Sequence, residues 1–164
     1  MDKNTISILV GNRAGVLSKV VSLFSRRGYN IDSLAVGVTD DVRLSRITIV
    51  AESDDRAVAQ IVSQLLKLID VVKVSTLREG EMVSRELCLI KVRAGPDTRS
   101  EIIQMVEIFR AKIVDVSAGT LTIEVSGESG KVRAFEDLLR PYGIEEVART
   151  GSIALGRGPS TIKG

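Results

Sequence analysis

The loop Asn12-Arg13-Ala14-Gly15 combines residue types that bind charged small molecules. It comes directly before a predicted helix, whose first backbone N–H groups lack partners within the helix and therefore attract anions. Gly15 has no side chain, so a carboxylate could approach the amides of Gly15 and Val16, and the Asn12 side chain could accept hydrogen bonds from an ammonium group. The same residues also suit an ordinary helix-capping loop, which is the interpretation that spacing alone favours.

A second polar residue of interest, Asn30, lies between this helix and the next predicted strand, in the segment Arg26-Arg27-Gly28-Tyr29-Asn30-Ile31. At the start of that strand it would face a partner molecule if the sheet edge were used for dimerisation. Asparagine also fills left-handed turn positions readily, and the spacing by itself favours that simpler role.

The rest of the sequence argues against catalysis. It contains no histidine, which removes the commonest general acid or base at neutral pH and the commonest metal ligand. The single Cys88 lies in an apolar strand-like segment that predicts a buried, inert thiol, and one cysteine excludes an internal disulfide and a multi-cysteine zinc site. The segment Gly127-Glu128-Ser129-Gly130-Lys131 is not a P-loop, because Val125 and Val132 occupy the positions of the first glycine and of the Ser/Thr.

Charge and hydropathy give no sign of nucleic-acid or membrane binding. Twenty-three basic and 21 acidic residues leave a net charge of +2, which is too small to predict either. No apolar run approaches the ~20 residues that span a bilayer, and Met1-Asp2-Lys3-Asn4 leads straight into a strand-like run without a signal-peptide pattern. We therefore expect a cytoplasmic protein.

Hydrophobic spacing predicts a βαββαβ order in the first half of the chain. Alternation predicts strands at 5–10, 31–39, 44–51 and 71–77, the second and third joined by a turn at Asp40-Asp41. Helical spacing predicts one helix between Gly15 and Gly28 and another, after Ser53-Asp54-Asp55, that extends to Ile69. Right-handed crossovers would place both helices on one face of a four-stranded antiparallel sheet, the ferredoxin-like arrangement.

A similar order begins again after the polar stretch 78–81. Strands are predicted at 87–92, 113–116, 121–125 and 144–153, with helices around 102–109 and 132–139, the latter stopped by Pro141. The predicted fold class is therefore α+β, with two tandem ferredoxin-like units. We expect these domains at 4–78 and 84–158, a linker at 79–83 and a flexible tail at 159–164.

Two segments of the first unit resemble the ACT domain, an allosteric amino-acid-binding module. They are Gly-Asn-Arg-Ala-Gly-Val-Leu-Ser-Lys-Val at 11–20 and Leu-Phe-Ser-Arg-Arg-Gly-Tyr-Asn-Ile at 23–31. Together with the segments 44–49, 64–71, 85–92, 108–116 and 146–151, they make nearly the whole chain similar to the acetolactate synthase (acetohydroxyacid synthase) small-subunit family.

The resemblance implies a non-catalytic regulatory subunit of branched-chain amino-acid biosynthesis. It would activate a separate large subunit, which would hold thiamine diphosphate, Mg and FAD, and would make that enzyme sensitive to feedback inhibition by valine. No cofactor is expected on this chain. The first unit would be the ACT domain and would form a homodimer, and the second unit would be ACT-like.

The resemblance also implies the effector site. In this family valine binds between two ACT domains, and the family often has an acidic residue where Arg13 stands. The matching positions here are Asn12, Gly15, Val16 and Leu17 of one chain with Asn30 and Ile31 of the other.

Two other functions share parts of this pattern. An ACT-domain sensor of another amino acid, regulating a different enzyme, stays open. An RNA-recognition domain has the same βαββαβ order but needs aromatic residues on its central strands, and segments 5–10 and 44–51 contain none.

Overall fold

The computed structural model describes residues 2–163, so Met1 and Gly164, the ends of the predicted N-terminal segment and tail, lie outside the described residues. The elements are, in order, β1 (Asp2–Gly11), α1 (Val16–Arg26), β2 (Ile31–Val38), β3 (Leu44–Ser53), α2 (Asp55–Leu65), β4 (Val71–Leu77), β5 (Met82–Arg93), α3 (Arg99–Ile108), β6 (Lys112–Val116), β7 (Thr120–Gly127), α4 (Ser129–Leu139), a 3₁₀ helix (Arg140–Tyr142), β8 (Ile144–Arg149) and β9 (Ile153–Gly156). Two βαββαβ repeats confirm the predicted α+β class and the two ferredoxin-like units.

The first unit is a four-stranded sheet of order β2-β3-β1-β4, in which β1 and β3 are central and antiparallel. Strand alternation directs Ile8 and Ile47 to one face, where they are fully buried against helix residues such as Phe24 and Leu65. Asp54 begins α2 by accepting a 2.7 Å hydrogen bond from the Ala57 amide. The amphipathic spacing of both helices thus explains why they cover the same face.

The second unit repeats this arrangement with the sheet order β6-β7-β5-β8. Its core includes Ile90, Ile123 and Phe135, all fully buried, with the rings of Phe109 and Phe135 at a centroid distance of 5.0 Å. Cys88 belongs to this core and is fully buried, as predicted, and burial raises the pKa of its thiol.

Three element boundaries were wrong. Helix α2 ends at Leu65, so Ile69 lies beyond it and is 94% exposed. Strand β5 already begins at Met82, inside the predicted linker 79–83. The predicted strand 144–153 is two strands, β8 and β9, separated by residues 150–152.

The division of the chain into two compact units also differs from the predicted one, in which the second domain ends at residue 158. The first comprises the chain up to Val83 together with the residues from Gly151 onward, and the second comprises Ser84–Thr150. Ser152 donates its amide to Ser33 Oγ on β2 at 2.7 Å, and Gly151 packs directly on the Leu34 carbonyl. Periodicity within 144–153 does not reveal this contact, because it depends on residues more than a hundred positions away.

The tail is described as far as Lys163, whose ammonium group donates to both carboxylate oxygens of Asp40 at 2.7 and 2.8 Å. The flexibility of 159–164 stays a prediction. None of the helices between residues 2 and 163 is long and apolar enough to cross a membrane.

The substitution Gly151→Ala tests the docking of this segment. A methyl group there would overlap the Leu34 carbonyl, so we expect a loss of about 1–3 kcal/mol in the free energy of unfolding, measured by urea denaturation. Gly130→Ala is the matched control, because its added methyl group would meet no atom within 4 Å. Equal effects of the two substitutions would contradict the docking.

Candidate functional site

The loop between β1 and α1 presents unpaired helix amides to an open surface. Gly15 is the N-cap of α1 with a left-handed φ of 84°, and no side chain caps the helix. A Cβ atom at Gly15 would meet no atom within 4 Å apart from its chain neighbours, so the loop is open on the side of this Cα. The geometry leaves the first turn of α1 accessible to an anion, and the binding of a carboxylate there stays a prediction.

Asn12 is held in place by the turn between β2 and β3. Its backbone amide donates to the Arg43 carbonyl at 2.8 Å, and its Nδ2 donates to the Val42 carbonyl at 3.0 Å. No donor among the described residues is bonded to Oδ1, so this oxygen is left as a hydrogen-bond acceptor. That is the atom that an ammonium group would need.

Asp41 organises the turn that anchors Asn12. Its carboxylate accepts hydrogen bonds from the Arg43 amide at 3.0 Å, from Arg43 Nε at 3.0 Å and from Arg43 Nη2 at 2.8 Å. These bonds from Arg43 lower the pKa of Asp41 to about 2, so the carboxylate is charged at neutral pH. The turn thus supports the loop through a local ion pair.

Asp70 sets the charge beside the loop. Its carboxylate is 10% exposed and lies 3.7 Å from Arg13 Nη1 and 3.3 Å from Lys19 Nζ. The Asp70 carbonyl also accepts the Gly11 amide at 2.9 Å. Two cations around one carboxylate leave a net positive charge near the α1 N-terminus, which favours an anionic ligand.

The two apolar residues after Gly15 differ in exposure. Val16 is 4% exposed and packs in the core, so only its backbone amide can serve a ligand, whereas Leu17 is 39% exposed and offers an apolar contact. Four of the six predicted site residues are thus brought together at the N-terminal end of α1.

The other two lie at the opposite end of the same helix. Asn30 is exposed, with its Nδ2 3.5 Å from Asp32 Oδ1, and Ile31 is half-buried at the start of β2. Helix α1 has 11 residues, which corresponds to a length of about 16 Å. A single small ligand cannot touch both ends, so the predicted set requires a second copy of the chain.

The position of β2 suits such pairing. It is an edge strand of its sheet, and its exposed side chains include Val36 and Val38 at 47% and 57%. An edge strand presents unpaired backbone groups that a second strand can use. A cavity of about 540 Å³ lies beside Asn30 and is lined by residues 28–30, residues 52–54 and the N-terminal part of α2. The sequence does not reveal this cavity, because α2 and Asn30 are distant along the chain.

Metal binding has no support in the side chains of residues 2–163. Nowhere in that range do three or more acidic or cysteine side chains group closely enough to hold an ion.

Comparison with known proteins now identifies the family. The family described as the AHAS small subunit-like ACT domain matches residues 6–73, and the one described as the small subunit of acetolactate synthase matches residues 85–158. The chain is 52% identical over 159 residues to the acetolactate synthase small subunit of Mycolicibacterium smegmatis, covering 97% of this chain and 94% of that one. The chain belongs to the acetolactate synthase small-subunit family.

Other relatives agree with this assignment. The acetolactate synthase small subunit 2 of Arabidopsis thaliana, a chloroplastic protein, is 51% identical to this chain. The match covers 94% of this chain and 32% of that relative. The acetolactate synthase small subunit from Thermotoga maritima, known from a crystal structure, is 44% identical to this chain and superposes on it with a TM-score of 0.91. The match covers 98% of this chain and 100% of that one. The resemblance found in the sequence is thus confirmed, and the first unit is its ACT domain.

The anchoring of Asn12 can be tested with Asp41→Ala. Loss of the carboxylate removes three bonds within the β2–β3 turn, and we expect the Asn12 amide to exchange about five- to tenfold faster in hydrogen-exchange NMR, as for one lost hydrogen bond.

Asp40→Ala is the matched control, because Asp40 bonds to Lys163 and gives the turn no comparable support. Its Asn12 amide should exchange at the wild-type rate. Faster exchange in both variants, or in neither, would show that Asp41 does not hold the loop.

Proposed function

We propose that this chain is the regulatory subunit of an acetolactate synthase in branched-chain amino-acid biosynthesis. It activates the large catalytic subunit and confers feedback inhibition by valine, which binds between the ACT domains of two copies. The observation that carries the proposal is the glycine cap of α1, which no side chain fills, together with Asn12, whose side chain is anchored through Nδ2 and leaves Oδ1 as an acceptor. Family membership supports the assignment to acetolactate synthase.

The chemistry of the loop fits an amino acid. The amides of Gly15 and Val16 bind the carboxylate, and Asn12 Oδ1 accepts from the ammonium group. Leu17, together with Ile31 of a second copy, supplies apolar contact for a branched side chain, while Asn30 of that copy adds a polar one. A zwitterion with an aliphatic side chain uses all of these groups.

Catalysis belongs to the large subunit in this proposal. Thiamine diphosphate, Mg and FAD are bound there, and this chain carries no cofactor. The lack of histidine supports that division. The two subunits meet in the cytoplasm, the compartment that the single buried cysteine favours.

A ligand shared by two copies can act on the enzyme through the geometry of the dimer. It shifts an equilibrium only by the difference between its affinities for two states. A coupling of about 1–3 kcal/mol, or about 5- to 150-fold in affinity, is sufficient for feedback control. Such a difference arises if one arrangement of the copies brings Asn30 to the loop and another withdraws it.

Ligand-dependent melting of the isolated chain tests the effector assignment. Valine should raise the melting temperature more than serine, phenylalanine or lysine does, because a ligand that binds only the native state stabilises it by about 2.7 kcal/mol at 100 times its Kd.

Gly15→Asp should abolish the valine effect by placing a carboxylate where the ligand's carboxylate binds. Gly15→Asn is the control, since both side chains tolerate the left-handed φ of 84° and only the aspartate adds charge. Equal shifts with all four amino acids, or retained valine binding by Gly15→Asp, would overturn the site.

Reconstitution tests the regulatory role. Adding the chain to the large subunit from the same organism should raise the rate of acetolactate formation, and valine should lower it again. With Gly15→Asp the activation should persist without valine inhibition, since the substitution changes the effector loop alone. No activation by the wild-type chain, at any ratio of the subunits, would contradict the proposal.

A further inference from the structure

A second cavity lies on the face of the ACT sheet opposite to its helices. Its volume is about 370 Å³. On β3, Ile47 and Ile49 are fully buried against the helices, so the alternating residues Arg46 and Thr48 point to the other face. The cavity is lined by residues 35–40 of β2 and the following turn, by Arg46 and Thr48, and by Ile153 and Ala154 of β9.

Arg46 is a part-buried cation without a carboxylate partner among the described residues. Its Nε donates to Ser7 Oγ at 2.7 Å, and Ser7 is itself fully buried. Burial lowers the pKa of Arg46, and no acidic group offsets that effect. A guanidinium group has five N–H donors, so its outer nitrogens are available for an anion.

The sheet leaves room next to this group. Gly37 is the direct partner of Arg46 on β2, and a side chain there would meet no atom within 4 Å. Ala35 is the corresponding partner of Thr48. These small residues keep the space beside the guanidinium open. Asp40 at the rim does not neutralise it, because its carboxylate binds Lys163.

The charge and the walls define the class of ligand. The cavity combines the Arg46 cation with apolar contacts from Ala35, the partner of Thr48 on β2, and from Ile153 and Ala154. We propose that it binds a small aliphatic monocarboxylate, with the carboxylate on the Arg46 guanidinium and the hydrocarbon part against the apolar walls. Inorganic anions gain nothing from these walls, and the ammonium group of an amino acid is repelled by Arg46. The site is therefore distinct from the effector loop in place and in selectivity.

The test uses 3-methylbutanoate as the probe and the full-length Gly15→Asp chain, in which the effector loop is blocked. Titration followed by NMR should shift the methyl signals of Ala35, Ile153 and Ala154 in a saturable way. The neutral analogue 3-methylbutan-1-ol and inorganic phosphate should leave them unchanged. Equal shifts by the alcohol or by phosphate would overturn the proposal.

Arg46→Gln then tests the guanidinium directly, because glutamine can still donate to Ser7. We expect the Kd for 3-methylbutanoate to rise about tenfold or more, as for a lost charge-assisted bond pair. Lys73→Gln is the matched control, since Lys73 faces Leu9 on the same sheet face and lies outside the cavity. Its Kd should change by less than about twofold, the size of a screened surface-charge effect.

A second variant keeps the test decisive if Arg46→Gln is unstable. Arg46→Lys retains the positive charge but lacks the planar guanidinium group that can form two parallel hydrogen bonds. Its Kd for 3-methylbutanoate should therefore lie between those of the parent chain and Arg46→Gln. Unchanged affinity in the arginine variants, or methyl shifts confined to residues 12–17, would show that the cavity is not the site.

Discussion

A carboxylate can reach the first amides of α1 only where the backbone turns sharply without a side chain in the way. Gly15 provides this with its left-handed φ of 84°. The loop is fixed on its other side because β1 is a central strand and Asn12 is tied to the β2–β3 turn. The amides and the Asn12 oxygen are therefore positioned before any ligand arrives, which lowers the entropic cost of binding.

The length of α1 imposes the next constraint. Its two ends each carry part of the predicted effector site, and a small ligand cannot bridge about 16 Å. Either the residues at one end are irrelevant to the effector, or a second copy brings its Asn30 and Ile31 to the loop. Because β2 is an edge strand that begins at Ile31, pairing through that edge is the simplest way to make the approach.

The sequence predicted the fold correctly where the hydrophobic periodicity within a single segment determines the structure. Ile6, Ile8 and Val10 alternate because one face of β1 meets the helices, and the same logic works in both repeats. The sequence also predicted the loop before α1, because residues 12–15 are adjacent in the chain. It missed the exposure of Ile69, the docking of Gly151 and the cavity at Arg46. In Leu44-Ser45-Arg46-Ile47 the alternation shows which face Arg46 points to, yet only the covering segment 153–154 determines that a cavity forms there.

That covering segment links the cavity to the rest of the ACT domain. Ile153 and Ala154 form one wall next to the hydrogen bond between the Ser152 amide and Ser33 Oγ of β2, and β2 forms the opposite wall. A ligand that needs both walls must stabilise their contact, and anything that strengthens the contact must in turn tighten the ligand. Since β2 is also the edge through which the effector site would be completed, occupancy of the cavity and pairing of two copies would act on the same strand. The two faces of the sheet would then select different molecules, a zwitterion at the helix end and a simple carboxylate at Arg46.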